Sequence, residues 1–194
     1  MRLEGWHWVG TFTGVVLLTV AALPFAAFAA WALARRRRLA GATAARARRM
    51  SLAEVGIVYG TVPPVWLILL PGDEGRAVVS LLPLRDLLAM DTGQIIGNPL
   101  VFAPLGFLAP LRFAPLASVR RVLALGAGCS VLVETAQYVL RLDRVSSVDD
   151  VLLNTTGAGL AALMSRRWWR AADSPVEPAG GAGRARDTGG SGRS

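Results

Sequence analysis

The chain contains no lysine, and all 21 of its basic residues are arginine. That absence removes a lysine Schiff base and a phosphate-loop lysine from consideration. One cysteine, Cys129, lies within an apolar run, so no intrachain disulfide can form and the thiol reads as a small hydrophobe. One histidine, His7, is too few for a multi-histidine zinc site, and between Trp6 and Trp8 it reads as a membrane-edge residue. Neither a metal nor a cofactor is expected. Long polar stretches are equally scarce, because 53% of the residues are apolar, which is too greasy for an ordinary soluble domain of 194 residues.

A net charge of +8 would suggest nucleic acid if taken alone. The arginines, however, cluster between apolar runs of spanning length, and no basic face separates from those runs, so nucleic acid is excluded as a partner. The expected partner is the lipid bilayer, and the expected fold class is all-α: an integral membrane bundle of about five transmembrane helices.

The first span covers residues 9–34, about 26 residues without a charge, enough to cross a core of about 30 Å. Pro24 should kink it. A cleavable leader is the competing reading, but the Arg35-Arg36-Arg37-Arg38 block follows the run as a stop-transfer signal. Residues 35–49 then form an arginine-rich loop, whose attraction for anionic headgroups would be a property of the surface. The second span covers residues 51–70, bent at Pro63-Pro64 and ended by Pro71-Gly72. Residues 73–94 are too broken to span and read as a loop with a short interfacial helix around Val78–Leu84. The third span, 95–111, carries Asn98, Pro99, Pro104 and Gly106 and should be distorted near its outer end. The fourth runs from about 121 to 140 and the fifth from about 149 to 165. Trp168 and Trp169, among arginines, resemble an aromatic anchor at its end.

This layout gives a two-span region with an interfacial loop (1–94), a three-helix core (95–170) and a disordered tail (171–194). With alternate loops on one side, sixteen arginines fall on one side and five on the other. The asymmetry predicts the N-terminus outside and the C-terminus inside.

Polar residues inside the last spans need a reason to be there, since hydrocarbon penalises them by several kcal/mol. Ala127, Ser130, Glu134, Gln137 and Arg141 recur at helical spacing on one face, and Asp150, Asn154, Gly157 and Ala161 form a second stripe, polar above and small below. The short turn between the spans makes them antiparallel neighbours, so the stripes can pair, with Asn98 at a similar depth. The candidate ligand pocket is therefore Asn98, Glu134, Gln137, Asp149, Asp150 and Asn154, with Arg144 at its mouth. Glu134 could carry a proton, serve as acid or base, or accept a polar ligand. The plainer alternative is that these residues hydrogen-bond one another and hold the helices together. Asp149 and Asp150 follow Ser146-Ser147 in a capping pattern, which is favoured over a metal site.

At these residues the chain resembles the VanZ-like family of bacterial membrane proteins. The resemblance is carried by Asn98, Phe102-Ala103-Pro104-Leu105-Gly106-Phe107, Glu134, Gln137, Arg144 and Asp149-Asp150-Val151-Leu152-Leu153-Asn154-Thr155-Thr156-Gly157-Ala158. Where many members have an Asp two residues before the Asp pair, this chain has Ser147. The family takes its name from a protein associated with low-level resistance to teicoplanin, a lipid-bearing glycopeptide. The resemblance implies a multi-pass protein of the bacterial cytoplasmic membrane with an envelope role. Binding of an envelope lipid or lipoglycopeptide is favoured over catalysis on a lipid-linked intermediate, because no nucleophile is evident. The sequence leaves the oligomeric state open.

Overall fold

The computed structural model describes residues 11–71, 78–80, 90, 92–142 and 145–169. Its helices in chain order are α1 (Phe12–Leu39), α2 (Ala44–Ile68), α3 (Thr92–Val101), α4 (Ala103–Arg112), α5 (Val119–Val139) and α6 (Val148–Ser165). Two three-residue strands, β1 (Val78–Ser80) and β2 (Val145–Ser147), pair in parallel, Val78 opposite Val145 and Ser80 opposite Ser147. Strand β1 takes part of the place where a short interfacial helix is expected, and residues 81–89 of that expectation lie outside the described residues. So do His7 with its flanking tryptophans, Arg144, and the tail from 170 onward.

Four segments are long and apolar enough to cross a membrane: Phe12–Leu39, Ala44–Ile68, Thr92–Arg112 and Val119–Val139. The molecule is an all-α membrane bundle. The fifth expected span is α6, with 18 residues, whose first turns carry Asp149, Asp150 and Asn154. Its polar first turns match its place. Helix α6 is the centre of the bundle, packed against α3, α4 and α5, whereas α1 packs mainly on α2 and leaves Phe12, Leu17, Val20, Phe25, Phe28 and Trp31 exposed. A helix shielded by others can keep polar groups, while one facing lipid must be apolar.

Local sequence explains most of the boundaries. Thr11 and Thr43 accept from the backbone N–H groups of Gly14 and Arg46 at the starts of α1 and α2. Helix α1 runs unbroken through Pro24, and α2 through Pro63 and Pro64. The third span is interrupted at Phe102, between α3 and α4, rather than near its outer end. Pro99 and Pro104 bracket this point and remove two backbone donors from the ladder. The buried Phe102 then packs with Val101, Val122, Val133, Ala158 and Ala162 in the core. Trp169 is turned into this same core and donates its indole N–H to Ser165 Oγ at 2.9 Å, so only Trp168 of the expected pair is left exposed.

Hydrocarbon does not drive helices together, so close contact between backbones must do so. Two glycines provide it. A Cβ on Gly157 would overlap the backbone of Pro99 in α3, and one on Gly106 would overlap the carbonyl of Ala158 in α6. Gly157→Ala and Gly106→Ala should each destabilise the bundle by about 1–3 kcal/mol. Gly128→Ala, which meets open space, should not. Melting temperatures of the three purified variants in one detergent would check this.

Candidate functional site

The polar residues of α3, α5 and α6 gather toward the end of the bundle opposite the arginine clusters. Ser147 caps α6 by accepting from the Asp149 N–H at 3.1 Å, which fixes the helix start and turns both aspartates into its first turn. Asp149 is buried and Asp150 half-buried. Asn98 of α3 donates its side-chain amide to Asp150 Oδ1, joining the third span to the central helix.

One turn deeper, Asn154 is 2% exposed and donates Nδ2 to Ser130 Oγ of α5 at 2.9 Å. This contact sets the register of the antiparallel pair α5–α6. Glu134 lies one turn above Ser130 and Asp150 one turn above Asn154, so the two carboxyl groups fall at the same level on facing helices. Glu134 is half-buried. The carbonyl oxygen of Asn154 is buried without a donor among the described residues, as is the hydroxyl of the adjacent Thr155.

Gln137 goes elsewhere. It is buried and donates Nε2 to the backbone carbonyl of Ile68 at 2.7 Å. Ile68 ends α2, where helix geometry leaves carbonyls unpaired, so the side chain of one helix closes the terminus of another. The expected pocket residues thus divide. Asn98, Asp150, Glu134 and Asn154 belong to one two-layer arrangement on α3, α5 and α6. Gln137 fastens α2 to α5, Asp149 is buried in the first turn of α6, and Arg144 lies outside the described residues. No cluster of three or more acidic, histidine or cysteine side chains suited to a metal occurs among the described residues.

A second polar cluster, at the arginine-rich end, was not singled out by the sequence. Glu54 of α2 accepts from Arg37 Nη2 of α1 at 2.5 Å and from Arg112 Nε of α4, while Arg37 Nη1 donates to Ser51 Oγ at 2.6 Å. The side chains of Arg37, Arg112 and Glu54 are 22%, 22% and 27% exposed, so three helices share one screened ion triad. The available signal was an acid within a span whose preceding segment carries seven arginines and no acid.

A family model described as VanZ/LLP1 matches residues 57–170, which contain α3 to α6 and the last twelve residues of α2. No curated protein and no solved structure matches the chain. Both layers of the polar arrangement fall within the matched residues, whereas α1 and Glu54 fall outside them.

If Gln137 serves as a terminus cap, Gln137→Leu should leave the Ile68 carbonyl without its donor and cost about 1–3 kcal/mol. A melting curve of the variant against wild type in the same detergent would measure that loss.

Proposed function

We propose that this chain, which belongs to the VanZ/LLP1 family, binds the polar headgroup of an envelope lipid or of the lipoglycopeptide teicoplanin where α3, α5 and α6 meet. It is a multi-pass membrane protein. In this reading it sits in the bacterial cytoplasmic membrane with the arginine-rich end inside, as the positive-inside rule favours. The polar end then faces outward, toward the leaflet in which envelope lipids and glycopeptides are met.

The observation that carries the reading is the two-layer arrangement itself. Glu134 and Asp150 stand at one level with Asn98 between α3 and α6, and a buried acceptor on Asn154 remains one turn below. Buried polar oxygens are costly unless a donor meets them, so an acceptor-rich end suits a headgroup that brings hydroxyl or ammonium donors. Arg144 would add a charge at the mouth. Binding there would alter envelope or glycopeptide susceptibility by sequestering or shielding the headgroup.

A structural reading has its own support. Asn98, Asn154 and Gln137 each donate to a different helix, which is how interhelical polar contacts hold membrane bundles together. The two readings part on the carboxylates. In a strain deleted for the gene and challenged with teicoplanin, Glu134→Gln and Asp150→Asn should abolish complementation at wild-type membrane abundance. Loss that tracks falling abundance would support the structural reading. Full complementation by both variants would overturn headgroup binding at these carboxylates.

A further inference from the structure

Among the described residues, the arginine-rich end is far from electrically balanced. Twelve of the thirteen described arginines lie there, and Glu54 is the one described acid among them. Both oxygens of Glu54 are already occupied by Arg37 and Arg112. Whatever neutralises the remaining guanidinium groups must come from elsewhere. For exposed arginines such as Arg35, Arg36 and Arg38, water and mobile ions suffice. Arg49 is different. It is only partly exposed, and its Nε is sealed from solvent with no acceptor among the described residues.

The position of Arg49 follows from helix spacing. Arg49, Ala53, Gly56 and Gly60 recur four, three and four residues apart on one face of α2. Gly60 lies against Pro104 and Gly56 against Leu108, so this face meets α4, and Ala53 is 1% exposed. Arg112, the last residue of α4, joins α2 at Glu54. Arg49 therefore lies at the mouth of the α2–α4 seam, beyond the final turn of α4 and beside the ion triad. By the positive-inside rule, arginines at the end of a span lie at the depth of phospholipid phosphates.

A guanidinium with a dehydrated Nε calls for a fixed oxygen acceptor, and phosphate matches its fork geometry. We infer that the mouth of the α2–α4 seam is a discrete site for the phosphodiester of an anionic phospholipid, with Arg49 as its ligand. The surrounding uncompensated arginines select net negative headgroups over zwitterionic ones. The site is at the opposite end of the bundle from the proposed headgroup site and does not depend on it.

Native mass spectrometry of the full-length protein, with added phosphatidylglycerol or phosphatidylcholine, tests the inference. Wild type should retain one phosphatidylglycerol at least about tenfold more tightly than phosphatidylcholine, and Arg49→Gln should remove that preference. Arg38→Gln, which deletes the same charge from an exposed position, should keep it. Equal retention of the two lipids by wild type, as expected if an acidic segment of the chain itself fills the seam, would overturn the site. So would equal effects of the two substitutions, which mean a diffuse surface charge, or saturation by inorganic phosphate alone at millimolar concentration. Should Arg49→Gln not remain monodisperse, Arg49→Lys retains the charge but lacks the Nε donor. It should weaken phosphatidylglycerol retention, and wild-type retention by it would likewise overturn the assignment.

Discussion

The close approach of α6 to α3 and α4 is the constraint on which the remainder of the bundle depends. Gly157 admits the backbone of Pro99, and Gly106 admits that of Ala158, so three helices meet at backbone distance around a core with few large side chains. In a bilayer such contact replaces the burial of apolar area that holds a water-soluble core. It also buries the face of α6 that carries Asp149 and Asn154, while Leu152, Leu160, Leu163 and Met164 stay exposed on the other face, which is why that helix can carry polar groups. Polarity at its start and smallness below are thus two consequences of one central position.

With α6 seated against α3 and α4 by backbone contact, the polar side chains meet in order. The Asn154–Ser130 bond joins α6 to α5, and one turn outward the Asn98–Asp150 bond joins α6 to α3. Gln137 then reaches away from this arrangement to the end of α2. Gln137 spends its amide donor on a backbone carbonyl of another helix, which makes it a fastening. Asn154 is not fully used, since its carbonyl oxygen is buried without a donor among the described residues. The headgroup proposal rests on that distinction between spent and unspent hydrogen-bonding capacity.

Much of this was legible in the sequence. The spacing of Ser130, Glu134 and Gln137 and of Asp150, Asn154 and Gly157 marks two helix faces, and the short intervening turn makes them neighbours. The Ser146-Ser147 pair before the aspartates reads as a capping pattern, and Ser147 is the one that caps α6. Other features were hidden because they depend on residues distant in the chain. Nothing local marks Ile68 as the acceptor for Gln137, 69 residues away. Three-residue strands such as Val78–Ser80 are too short to carry a periodicity, and their partner is known only from the fold. The break at Phe102 was displaced from its expected place, because the effect of Pro99 and Pro104 is set by what packs between them. Trp169 looked like an interfacial anchor until its indole N–H found Ser165.

The two ends of the bundle solve the burial of charge in opposite ways. At the arginine-rich end a single carboxylate draws two guanidinium groups from different helices, and the triad locks α1 and α4 to α2. Attraction between opposite charges in a partly screened site outweighs the cost of removing them from water when hydrogen bonds accompany each contact, as they do here. At the other end Glu134 and Asp150 stand at one level on facing helices, and carboxyl groups at that depth call for neighbouring donors. Asn98 supplies one such donor. A helix bundle held by glycine contacts has little freedom to separate two carboxyl groups once α5 and α6 are in register. Two carboxyl groups held at one level therefore call for donors, whether those come from the protein or from a molecule bound between the helices.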